Sequence, residues 1–338
     1  MSKNNGKKAQ AKEIHFKYGV VDSHCDTVHY FTGEKGDYDF VQRNSIAHLD
    51  LPRMEEGGIK IQFFALFIEP EYKPFGSLKR CLHLLNFYYK TVEPCHDRLE
   101  TIYNIDDLER INNQDKMAAL ITIEGGEALE GDIGVLRMLF RLGIRGVGLT
   151  WNQRNNIADG IGEREANGGL TLFGKKVIRE MNELGMIVDL AHISEKGFHD
   201  VLALTDSPVI VSHANSRALC GHPRNLTDQQ LKLLKQNGGI IGLSFYPTFI
   251  DEKAPSFEKL LDHFEHVAHV IGVEHLGIGS DYDGIKSAVE GLNDVSFLPA
   301  LTEGLLSRGF KEKEIGKILY GNYYRLIKEV FSKNNTGV

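Results

Sequence analysis

GVVDSHCD, residues 19–26, holds a short apolar run that ends in an imidazole and a carboxylate. Val20 and Val21 favour an extended backbone. In a strand, residues two apart share a face, so His24 and Asp26 point one way and Cys25 the other. The same design recurs along the chain, at IKIQFFALFIE (59–69), MAALITIEG (117–125), IRGVGLTW (144–151), GMIVDLAH (185–192), PVIVSHA (208–214), GIIGLSFY (239–246) and HLGIGSDYDG (275–284). Each run is nearly all apolar and turns polar at its C-terminal end. Continuous apolar strands mark a parallel sheet covered on both faces.

Between these runs lie segments with apolar residues at helical spacing, among them GDIGVLRMLFRLG, TLFGKKVIREMNELG, SEKGFHDVLALT and TDQQLKLLKQNGG. Thr227, three residues before Gln230, reads as a capping box, and Gly185 and Gly238 as helix-ending residues. Eight strand units alternating with helices predict an α/β fold, a (β/α)8 TIM barrel. No linker or composition break divides the chain. The expected organisation is a polar N-terminal tail over 1–18 and one catalytic domain over 19–332, with a helical insertion around 70–115.

In that fold, function gathers at the C-terminal ends of the strands. The first predicted strand ends in His24 and Asp26, the third in Glu124, the fifth in His192, the sixth in His213 and the eighth in Asp281. Asp189 reads as structural, and Asp283 beside Gly284 as a turn residue. Imidazoles and carboxylates crowded on one rim are costly to desolvate unless a cation holds them. Mixed His/carboxylate ligation suits zinc, with manganese and iron as alternatives. Six groups are too many for one tetrahedral zinc. Two ions sharing a carboxylate fit better, and such a pair can activate a water and clamp a carbonyl oxygen.

Net charge is −7, so there is no basic footprint for nucleic acid. No long apolar run reads as a membrane span, and neither end reads as a signal peptide or an anchor tail. The four cysteines, Cys25, Cys81, Cys95 and Cys220, form no CxxC pair. They read as reduced thiols of a cytoplasmic protein.

HCD (24–26), IEGGEAL (123–129), DLAHIS (189–194), VSHANSR (211–217), PRNLTD (223–228), LSFY (243–246) and GSDYDG (279–284) occur in order. Together they resemble the membrane (renal) dipeptidases of peptidase class M19, in the form of a soluble bacterial-type member. The resemblance runs from about residue 19 to about residue 330. It implies a barrel of amidohydrolase type with two Zn2+ per chain that hydrolyses dipeptides, tolerates a D-residue at the C-terminal position, and is commonly a homodimer. It further implies that His24 and Asp26 bind one zinc, that Glu124 bridges, and that His192 and His213 complete the second. By the same likeness Asp281 is the acid/base group, Arg224 holds the substrate carboxylate, and Tyr246 lines the pocket.

One departure stands out. Mammalian members carry a histidine in an LTH motif that contacts the scissile carbonyl. Here the motif reads Leu149-Thr150-Trp151, a form some bacterial relatives share. Trp151 is then a candidate pocket wall, and Asn152 or Arg154 a candidate replacement for the lost imidazole. Two rivals stay open at this stage. One is a binuclear amidohydrolase acting on cyclic amides or β-lactams. The other is a metal-binding barrel without catalysis. A lysine on the fourth strand, the usual carbamylated bridge of other amidohydrolases, is missing, which favours the Glu-bridged dipeptidase.

Overall fold

The computed structural model describes residues 2–114 and 116–333. Among them nine strands form one all-parallel sheet: β1 Val20–Cys25, β2 Ile59–Phe67, β3 Leu99–Thr101, β4 Met117–Glu124, β5 Ile144–Gly148, β6 Ile187–Asp189, β7 Ile210–Ala214, β8 Ile240–Leu243 and β9 Leu276–Ile278. The order is β2-β1-β9-β8-β7-β6-β5-β4, and β2 pairs with β4 from Ile61–Ala118 to Phe67–Glu124, which closes the ring. The fold is a (β/α)8 barrel, as the alternation of apolar runs and helices predicts. All eight expected strands are present.

The ninth, β3, lies outside the ring and pairs only with the start of β4. It sits in the 70–115 stretch together with helices Ser77–Val92 and Ile105–Asn113. The N-terminal stretch expected as a tail is helical over Ser2–Tyr18, and buries Ala11, Ile14 and His15. His15 spans from Gly57 O to Thr302 Oγ1, at 2.9 and 2.8 Å.

The apolar strands sort their side chains into two layers. Val21, Ile61, Phe63, Ala118, Leu120, Ile187, Ile210 and Ile240 fill the interior. They continue into Tyr323, Leu326, Ile327 and Val330 of helix Asn322–Phe331, which plugs the N-terminal mouth. Val20, Leu66, Ile123, Val147, Val188, Val211 and Ile241 face outward onto the helix layer. Each such burial contributes roughly 1.5–3 kcal/mol. Helix ends follow the sequence signals. Thr227 and Gln230 form the reciprocal capping box, and Gly185 and Gly238 close their helices at φ +66° and +81°.

The C-terminal rim of the barrel is where the ladders stop. β1 meets β9 only at Asp22–Ile278, and β6 meets β7 only at Asp189–Ile210. Buried side chains take over the inter-strand bonding there. Asp22 accepts from Ser280 N (2.9 Å) and Ser280 Oγ (2.6 Å). Asp189 accepts from Ser212 N and Ala191 N, both at 2.9 Å. Asn215 exchanges bonds with Ser244 N and O across β7 and β8.

Above the rim, the loop before β2 is held by a buried ion pair. Asp50 caps helix Leu51–Glu56 at Arg53 N (2.9 Å) and accepts from Arg53 Nε (2.7 Å). Arg53 also donates to Ala47 O (2.8 Å). The loop's His48 N–H donates to Asp283 (2.6 Å), two residues from Asp281. Replacing Asp50 by Ala removes the cap and one of the two carboxylates that face the buried guanidinium, the other being Asp294 at 3.1 Å. The expected loss is about 2–4 kcal/mol for one cap and one charge-assisted bond, read as a lower denaturant midpoint at unchanged slope.

Candidate metal centre

Glu124 ends β4 at the middle of the rim, and three imidazoles surround it. Its Oε1 lies 2.8 Å from His192 Nε2 and 3.6 Å from His213 Nε2, and its Oε2 lies 3.5 Å from His24 Nε2. His24 Nε2 is 3.2 Å from Asp26 Oδ2. His24 and Asp26 reach one point while Cys25 packs into the outer layer, but Asp26 lies one residue beyond the end of β1. The β1 ladder slips between Asp22 and Cys25, so the shared face is set by an irregular strand end rather than a regular pleat.

His192 and Asp281 depart from the predicted placement. β6 ends at Asp189 and β9 at Ile278, each three residues short of the functional group. Both residues sit in the left-handed region, at φ +64° and +66°, which no ladder accommodates. Gly284 makes room for this turn. A Cβ there would lie 2.2 Å from Asp26 Oδ2 and 2.7 Å from Asp281 Oδ1.

The donor set is arranged for a cation. Asn152 Oδ1 can only accept, so His192 Nδ1 donates to it (2.8 Å) and His192 Nε2 carries a lone pair. Ser212 bonds Asp189 with its hydroxyl and meets His213 Nδ1 at 2.9 Å, which fixes the same tautomer at His213. The two Nε2 atoms stand 2.9 Å apart beside Glu124 Oε1. Protons do not relieve this crowding. Burial and Arg224 push the His192 pKa down to about 3. Burial and His24 hold His213 well below its ordinary value. Two buried donor groups share Glu124: His24, Asp26 and Glu124 form one, and Glu124, His192 and His213 the other. A third joins His24 and His213 to Asp281. Asp26 Oδ1 has no partner among the described residues. These residues fit two neighbouring cations.

The rest of the predicted site lines one cavity of about 850 Å³ around these groups. Arg224 is buried and donates to His213 O (3.2 Å), its guanidinium stands 5.3 Å from the Phe249 ring, and its Nε is unpartnered among the described residues. Tyr246 packs on Phe249 at 4.9 Å. Trp151 lies 5.3 Å from Phe67 and 6.0 Å from His192. Asn152 orients His192 rather than standing free in the cavity, and Arg154 is spent on an ion pair with Asp159.

The sequence reading passed over Glu69 and His29, which also line the cavity. Glu69 closes the second predicted strand, so the rule that found the other groups reaches it too.

Over residues 8–336 the chain matches the membrane dipeptidase family, peptidase family M19. It belongs to that family. It is 36% identical over 324 residues to dipeptidase tcpJ of Claviceps purpurea, covering 91% of this chain and 76% of that one. A solved dipeptidase of family M19 superposes with TM-score 0.87 at 28% identity, over 93% of this chain and 98% of its own. A Rhodobacter sphaeroides metallopeptidase bound to a phosphinate mimic of L-Ala-D-Ala superposes with TM-score 0.86 at 27% identity, over 92% and 99%. The protein is thus a metallopeptidase of dipeptidase type. No helix among the described residues is long and apolar enough to cross a membrane.

Metal loading should release protons. Burial lifts the Asp281 pKa to about 8. Burial alone would lower His24, but Glu124 and Asp26 hold it well above its ordinary value. Without a cation both groups keep a proton at pH 7, and a cation must displace it. Affinity should therefore rise from pH 6 to pH 8, and calorimetry in buffers of different ionisation enthalpy should detect the released protons.

Proposed function

We propose that this protein is a binuclear zinc dipeptidase. His24 and Asp26 hold one ion, His192 and His213 the other, and Glu124 serves both. The observation that carries the reading is a buried arginine, Arg224, with an unpartnered Nε in the same cavity as the shared Glu124. A guanidinium in that position is suited to a free carboxylate and thereby restricts substrates to short peptides. The relative solved with a mimic of L-Ala-D-Ala supports a D-residue at the C-terminal position. Four buried free thiols support a cytoplasmic location.

When bound, the ions supply an activated water and polarise the scissile carbonyl. The chain's own residues do the rest. Arg224 grips the C-terminal carboxylate, and Tyr246 and Trp151 wall the peptide. Asn152 keeps the His192 lone pair turned inward. Asp281 takes the proton of the attacking water and delivers it to the departing amine.

Arg224→Ala should raise KM for dipeptides by about 10- to 100-fold, as expected for a lost charge-assisted contact. A dipeptide amide should not separate the variant from wild type. Asp281→Asn should lower kcat by about 100-fold or more while elemental analysis still finds two zinc ions per chain. Loss of metal in that variant would make Asp281 a ligand instead.

A further inference from the structure

His29 follows Asp26 by one turn, and its backbone N–H donates to Asp26 O (3.1 Å). Its side chain is buried and lines the cavity. Its Nδ1 lies 3.3 Å from Glu69 Oε1. Glu69 in turn accepts two bonds from Arg80, at 3.0 Å from Nε and 2.5 Å from Nη2, and Arg80 is itself buried. Burial alone would raise the Glu69 pKa, but the bonds from His29 and Arg80 outweigh it and lower it to about 2. Glu69 is therefore a carboxylate, which can only accept, and the His29 proton sits on Nδ1. Nε2 is left as a buried acceptor with no partner among the described residues.

An acceptor of this kind on a cavity wall calls for a donor from the ligand. The surroundings select its charge. Asp26 and Glu124 are committed to the cations in the reading above, so the carboxylates left on this flank are Glu69 and Glu34, which share the one guanidinium of Arg80. Arg224, the buried cation, hangs beyond β7, three ring positions from β1. A buried acceptor thus stands at the β1–β2 side and a buried cation at the β7 side, the two kinds of partner that the ammonium and the carboxylate of a dipeptide require. We infer that His29, fixed by Glu69 and Arg80, receives the free α-ammonium group of the substrate's N-terminal residue. His29 is then a substrate-binding residue, and Glu69 and Arg80 are positioning residues. Two termini read at once define a dipeptide more tightly than either alone. This inference rests on the dipeptidase reading given above.

The test compares wild type, His29→Leu and His29→Gln with bound zinc. The substrates are alanyl-alanine in its L,L and L,D forms. The competitor is propionyl-alanine, which has the same shape without the amino group. His29→Leu should raise KM for the cleaved dipeptide by about 10- to 100-fold with kcat little changed, while Ki for propionyl-alanine stays the same. His29→Gln, whose amide oxygen can accept, should recover most of the loss. Glu69→Leu leaves the imidazole in place but removes the acceptor that holds its proton on Nδ1, and should shift KM in the same selective way. It keeps the test open should His29→Leu fail to fold. Equal losses for dipeptide and propionyl-alanine would overturn the assignment, as would an unmoved KM or a fall confined to kcat. Wild-type protein with zinc bound that cleaves neither dipeptide would overturn the dipeptidase reading and this inference together.

Discussion

Two imidazole lone pairs 2.9 Å apart, both turned toward one carboxylate oxygen, form a contact that repels without a positive charge. Much of the rim is arranged to hold that contact in place. Asn152 and Ser212 fix the two tautomers from behind. Burial keeps protons off both rings, so the site favours a metal over a proton. His24 shows the reverse. Its two acidic neighbours keep it protonated when no cation is near, so a proton stands in for the metal on that side.

Bringing the candidate ligands from four strands to one point has a structural cost. The strands diverge at their C-terminal ends, and buried backbone groups lose ladder partners. Asp22, Asp189 and Asn215 replace those partners with side-chain bonds. Asp189 does two things at once, since it joins β6 to β7 and bonds the Ser212 hydroxyl that orients His213. Barrel closure and ligand orientation therefore share the same buried carboxylates. Substitutions meant to probe one will disturb the other.

The barrel was legible because parallel strands covered on both faces must be apolar throughout, and eight such runs are hard to mistake. His24, Glu124 and His213 were legible because they occupy strand ends. His192 and Asp281 were assigned to strands that stop three residues earlier. A left-handed backbone at a non-glycine residue leaves no trace in composition. The N-terminal helix was invisible as a packed element because Ala11 and Ile14 are a thin apolar signal in a polar segment. β3 has three residues and borrows its order from β4. Glu69 was legible by the strand-end rule, but its partner is His29 and not the metal group, so a search for ligands had no use for it.

Trp151 in place of an imidazole changes what the β2–β5 side of the cavity can do. Its ring packs on Phe67, and the Lys73 ammonium covers both rings, at 5.5 and 5.9 Å, while pairing with Glu127 at 3.0 Å. This flank offers area and a low dielectric rather than a charge aimed at the reacting carbonyl. Electrostatic interactions strengthen where water is excluded. An aromatic wall beside His192 therefore strengthens the interactions of the groups that remain, Arg224 among them.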